Sequence, residues 1–218
     1  MNFELSYGDI GILFFLTLGP LKAILPFARV TRGTDLAFRR TVARRAVTIA
    51  TVIVLAVALF GSFVLTNWHV SPPAISITAS IILFYQALRI IMQTPSGAPA
   101  TANRETSPSL AIAVFPVAIP AIVTAPGIAA IAVPIILYKH DLAHEAIVIA
   151  LLLGVMVLNL LTLWNTEAIL KHGVAGVLPV VGWVLAVLQA SLAVQMMMHS
   201  LRVLEVLHWP ASQAGGAG

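Results

Sequence analysis

LAIAVFPVAIPAIVTAPGIAAIAVPIILY, residues Leu110–Tyr138, has no charged side chain and four prolines: Pro116, Pro120, Pro126 and Pro134. A bilayer core of roughly 30 Å needs about 20 apolar residues as helix, so length and polarity say membrane. The prolines say that the helix is interrupted. Each interior proline deletes an i→i−4 hydrogen bond and collides with the preceding turn. The freed backbone groups meet no water in lipid, so broken backbone persists only inside protein or beside a wet cavity. An interrupted span near mid-membrane is therefore a candidate binding site.

The whole chain agrees with a membrane setting. Its 218 residues are 60% hydrophobic and 9% charged, against about 25% charged in soluble domains. Cysteine is absent, which excludes disulfides, thiol chemistry and Cys-based zinc sites. The net charge of +4 comes from one short stretch without interleaved aromatics, so nucleic acid is not an expected partner. MNFELSYGDI carries Glu4 and Asp9 and no basic residue before the apolar run, unlike a signal peptide. It is read as leading into a retained first span.

Working outward, the pattern predicts six spans and an all-α membrane protein. Span 1 covers about Ile10–Val30 and is interrupted at Gly19-Pro20, with Lys22 and Pro26 following. Arg29, Arg32, Arg39, Arg40, Arg44 and Arg45 then fill a predicted loop, against Asp35 alone. Span 2 is Ala46–Leu65, and Trp68-His69 looks like an interfacial anchor. Span 3 runs from about Ala74 to Met92. Residues 94–109 read as a flexible Pro/Ser/Thr/Gly linker. Span 4 is the opening stretch. Span 5 covers about Ala146–Trp164, Asn165–Gly176 reads as a turn, and span 6 covers about Val177–His199. The tail, 209–218, is expected to be disordered. The arginines of 29–45 place that loop in the cytoplasm, and both termini then lie outside, across an inner membrane.

The two halves, 1–93 and 110–208, share a plan: a proline-broken span, a charged loop, an apolar span and a span opened by proline (Pro72-Pro73 and Pro179). Three spans per half would insert the second half upside down. Inverted repeats with a broken helix at matching positions point to a transporter site. Proline is also common in membrane helices, so one break alone would be read as a packing kink; two matched breaks shift the balance.

The breaks have their own chemistry. Pro20 and Pro126 suit the first position of a half-helix, and Thr124 is placed to cap the second. Gly19 and Gly127 let backbone approach a ligand closely. A half-helix N-terminus offers unpaired N–H groups and about half a positive charge, which suits a carboxylate or other small anion. Lys22 is an ionisable residue inside an apolar span, by default a functional hypothesis. The plainer reading is snorkelling, since Arg29 lies roughly 10 Å further along a helix. Gln86, Gln189, Gln195 and Asn159 read first as interhelical hydrogen-bonding groups. Arg89 and Glu167 read as interfacial or structural pairs, and Met196-Met197-Met198 as packing. His140 and His144 are four apart, but in an expected loop and span start they do not earn a metal site. No HExxH, GxSxG, P-loop or GxGxxG motif occurs. No enzyme activity and no cofactor are expected.

FFLTLGPLKAILPFARVT in the first half and FPVAIPAIVTAPGIAAIAV in the second resemble the paired motifs of the MarC family of membrane proteins. The six-span pattern, the central linker and Gln195 within LAVQMMM agree with that resemblance, which covers nearly the whole chain. There are departures. Gly19 stands where the family usually has Asn, Lys22 near a small residue, and Ala125 in place of the Gly before Pro126. The motif prolines are also spaced one residue further apart in each half. The resemblance implies a transporter of small solutes, some members being similar to neutral amino acid transporters. The expectation is thus an alternating-access carrier of a small polar solute, a neutral amino acid or similar small carboxylate. Its contact residues would be Gly19, Pro20, Lys22, Pro120, Thr124, Ala125, Pro126, Gly127 and Gln195. Lipid and solute are the expected partners, and a homo-oligomer is compatible with the sequence. The alternative is a membrane scaffold or assembly protein whose prolines only shape the fold.

Overall fold

The structure is a computed structural model that describes residues 6–92, 110–137, 141–171 and 174–204. The linker, the C-terminal tail and His140 lie outside the described residues. All regular elements among the described residues are helical: α1 Tyr7–Leu18, α2 Leu21–Val30, α3 Leu36–Asn67, α4 Pro72–Met92, then α5 Ala125–Leu137, α6 Leu142–Trp164, α7 Thr166–Lys171 and α8 Val174–Val203.

Five helical stretches among the described residues are long and apolar enough to cross a membrane. They are Tyr7–Val30 (α1 with α2), Leu36–Gly61, Pro72–Met92, Leu142–Trp164 and Val180–Val203. The stretch expected as a fourth span is a series of short pieces. A 3-10 turn at Leu110–Ala113 leads into a π-helical segment at Val114–Ile122, and α5 follows. Pro116 and Pro120 fall within the π-helical segment. Proline lacks the N–H that an α-helix would donate, and in an α-helix its ring would crowd the carbonyl four residues back. A wider turn avoids that clash. At its end the Val123 N–H donates to the Ala118 carbonyl at 2.9 Å, an i→i−5 bond.

The first span breaks where expected. Gly19 is extended at φ −75°, ψ 169°, and Pro20 caps α2. Pro26 lies inside α2 and removes the N–H that would close on the Lys22 carbonyl. The predicted loop of arginines is a correction. Only residues 31–35 separate α2 from α3, and Arg39, Arg40, Arg44 and Arg45 ride on the first turns of α3. Arginine is a good helix former, so charge density marked the membrane boundary without ending the helix. The turn expected after span 5 is also largely helical, as α7.

Packing relies on small residues. Ala43, Ala46, Ala50, Val54 and Ala58 form a buried stripe on α3, which packs against α5, α6 and the π-helical segment. Ala79, Leu83 and Ala87 do the same on α4, which packs on α5 and most extensively on α8. Without a hydrophobic drive between helices in lipid, close approach of small residues supplies the van der Waals contact. Met196 is buried, as a gap-filling residue should be.

Candidate functional site

A helix that stops in the membrane leaves carbonyls at its C-terminal end. Those of α1 are taken up by side chains from distant parts of the chain. The Thr124 hydroxyl donates to the Thr17 carbonyl at 3.2 Å. Asn159 Nδ2, from α6, donates to the Leu18 carbonyl at 2.8 Å and to the Val155 carbonyl at 3.0 Å. Thr124 also accepts from the Gly127 N–H at 3.1 Å, the cap that the sequence suggests. One hydroxyl thus joins the end of the first half-helix to the start of α5. Asn159 performs the interhelical role expected of it. The Thr17–Thr124 bond had no signal in the sequence, because it depends on two breaks meeting in space.

The glycines fit this crossing. A Cβ on Gly19 would overlap the Phe15 carbonyl oxygen, which is backbone and has little room to yield. A Cβ on Gly127 would meet the buried Leu18 side chain. Gly19, Pro20 and Gly127 are buried at the crossing and act by bringing backbone together.

Beside the crossing lies a cavity of about 660 Å³. It takes Lys22 from α2, Thr124, Ala125 and Pro126 from the second break, Gln86 and Arg89 from α4, and Gln189 from α8. The rest of its wall is aliphatic apart from Tyr85, and none of the described residues that line it is Asp or Glu. Lys22 Nζ is enclosed by protein with no hydrogen-bond partner among the described residues, and the same holds for Gln86 Oε1. Snorkelling would carry Nζ to the surface, so that reading does not describe Lys22 here. Gln189 Nε2 donates to the Leu83 carbonyl at 2.9 Å, which ties α8 to α4 and fixes the amide at the cavity wall.

The expected residues therefore fall into groups. Lys22, Thr124, Ala125 and Pro126 line one cavity. Gly19, Pro20 and Gly127 shape the crossing next to it. Pro120 lies in the π-helical backbone leading to the break. Gln195 sits on an exposed face of α8 and is not among the lining residues. The sequence presents Gln86, Gln189 and Arg89 first as structural groups, yet they line the cavity. Their polarity inside apolar spans was the available signal, but only packing could say which of the span glutamines face inward. Glu167 pairs with Arg39, in keeping with a structural role. The described residues hold no cluster of three or more metal-ligating side chains. His144 instead bonds Asp141, which caps α6.

Comparison with known proteins agrees with this architecture. The model of the family described as "MarC family integral membrane protein" matches residues 6–204. A protein named "UPF0056 membrane protein" from Buchnera aphidicola subsp. Schizaphis graminum (strain Sg) is 30% identical over 134 residues. That match covers 62% of this chain and 64% of the relative, so slightly less than two thirds of the relative's length is spanned. No solved structure matches the chain. The family match runs through both broken spans and all the helices packed around them, and this multi-pass chain belongs to the MarC family of integral membrane proteins.

Proposed function

We propose that this protein carries a small polar solute across the membrane by alternating access, the solute being a neutral amino acid or a similar small carboxylate. Six crossings would form two inverted three-span repeats, with the first crossing of each broken. The helix neighbours support this reading. α1 packs on α5, and α2 packs on the π-helical segment, so each half of one broken span meets the opposite half of the other. α1 with α6, and the π-helical segment with α3, form a second matched pair of contacts. The pattern departs furthest from two-fold equivalence at one seam. α4 packs closely on α5, whereas α2 has no comparable contact with α8, and the cavity opens between α2 and the α4–α8 pair. If the two halves are inverted repeats, these are equivalent seams, one packed and one open, which is the asymmetry that alternating access would use. With the arginine end in the cytoplasm, the open seam runs from the breaks toward Arg89 and faces inward.

The observation that carries the proposal is the covered, unpartnered Nζ of Lys22, a residue of the wall of a cavity bordered by both broken spans. A cation in a low-dielectric site is stable only with a counter-charge. A solute carboxylate would supply one once the Lys22 side chain turns into the cavity, and Gln86 Oε1, equally covered here, would then accept from an N–H or O–H of the same solute. The scaffold alternative asks for breaks packed shut by aliphatic side chains, and a cavity that carries Lys22, Gln86, Arg89, Thr124 and Gln189 in its otherwise apolar wall weighs against it. The role is transport and involves no bond-making chemistry.

The test is counterflow in proteoliposomes with labelled alanine, glycine, serine and small hydroxy acids. Uptake driven by trans solute, lost in K22Q, is the expected result. Absence of counterflow across the whole panel in correctly folded protein overturns the carrier reading.

A further inference from the structure

A second cavity lies at the arginine end of the molecule, away from the breaks. It measures about 360 Å³ and is walled by the end of α2, the start of α3, the end of α6 and α7. Arg29, Arg32, Arg39 and Arg40 all line it, against Glu167 as its one carboxylate. Glu167 is already paired with Arg39. No acidic partner for Arg29, Arg32 or Arg40 is found among the described residues. Arg39 Nε is buried and has no hydrogen-bond partner among them. Three membrane-crossing stretches end or begin here, at Val30, Leu36 and Trp164, so the cavity sits at headgroup depth. Leu25 and Leu36 continue its wall as exposed apolar side chains, 41% and 51% accessible, and Trp164 stands beside them at 39%.

We infer that this niche binds the phosphate of an anionic phospholipid, with its acyl chains lying along Leu25, Leu36 and Trp164. The chemistry is that of a phosphate oxyanion, which arginine forks recognise by paired N–H···O bonds. Basic pockets between membrane helices at the headgroup level are suited to such lipids. The exposed apolar wall favours a lipid over free phosphate, since phosphate alone has no use for it. A bound headgroup would tie α2 to α3, α6 and α7. Because α2 also borders the solute cavity, lipid occupancy would bear on the position of that half-helix. The lipid site stands independently of the carrier reading.

The test uses the full chain purified in detergent and measures retained lipid by native mass spectrometry, with thermal shift as a second readout. Phosphatidylglycerol, phosphatidylcholine and inorganic phosphate are the probes. Wild type should retain phosphatidylglycerol in preference to phosphatidylcholine and gain thermal stability from it. R29Q/R32Q/R40Q should lose that preference by roughly 100-fold, from about 1 kcal/mol per arginine. E167Q should strengthen it by freeing the Arg39 guanidinium, which keeps the idea testable if the triple variant does not fold. Equal retention of the two lipids by wild type overturns the proposal, as does weaker retention in E167Q. Full stabilisation by inorganic phosphate alone would replace the lipid with a free anion.

Discussion

The Thr124 hydroxyl donates to the Thr17 carbonyl across 107 positions of sequence at 3.2 Å. It thereby joins two membrane breaks that the chain visits far apart. The same oxygen accepts from the Gly127 N–H, so this one atom caps a helix start and closes a helix end.

Thr124→Val keeps the shape and removes both bonds. A lost cap costs about 1 kcal/mol, and an unpaired buried carbonyl adds about 1 to 2 more. The melting temperature in detergent should fall in T124V and stay near wild type in T124S. Equal melting of all three would mean that the hydroxyl holds nothing.

Gly19→Ala places a methyl on the Phe15 carbonyl oxygen. Backbone must move to make room, and the expected cost is about 2 kcal/mol or more, within the range for overpacking. Reduced folded yield and an earlier unfolding transition are the readouts. A neutral effect would show that the break relaxes freely.

Asn159→Leu removes the side-chain donor to the Leu18 carbonyl. In apolar surroundings the orphaned acceptor costs about 1 to 3 kcal/mol. A double-mutant cycle with T124V measures whether the two donors act together on the end of α1. Strict additivity would argue that they act separately.

Lys22→Met should separate stability from function. An enclosed cation without a partner is destabilising, so the methionine variant should unfold later, by about 1 to 3 kcal/mol. Counterflow should be lost at the same time. The lining has Lys22 and Arg89 but no carboxylate. Small hydroxy acids should therefore compete better than zwitterionic amino acids, whose ammonium meets no counter-charge. Competition assays on wild type decide between them.

Asp141 caps α6 by accepting from Ala143 N at 3.0 Å and His144 N at 3.3 Å. The His144 backbone N–H, against an opposing desolvation effect and aided by the His144 ring and the Ala143 N–H, holds its carboxyl below the ordinary value of 3.8. A carboxyl with a depressed pKa stabilises the fold above its unfolded value and loses that contribution as pH falls through the folded one. The cap should therefore persist at pH 5 and weaken only below about pH 3.8. D141N should flatten that acid limb in pH-dependent melting curves.

Membrane residence, the helical class, both breaks and the Thr124 cap follow from local facts that sequence carries directly. Long uncharged apolar runs need lipid, and proline cannot donate within a helix. Arginine charge, by contrast, marked a boundary without marking a helix end, so α3 begins earlier than its apolar run. Proline spacing did not reveal a π-helical segment, whose wide turn depends on neighbours able to hold it.

Which polar groups share a cavity was decided by tertiary structure alone. Gln86 and Gln189 line the cavity beside the breaks, and Gln195 does not, although all are glutamines within apolar spans. The difference is helix azimuth, fixed by the packing of α4 on α8, where Gln189 donates to the Leu83 carbonyl. Local residue chemistry dictates where the backbone must open. The meeting of Thr17 with Thr124, and the isolation of Lys22 beside them, arose only when packing brought residues a hundred positions apart within hydrogen-bonding reach.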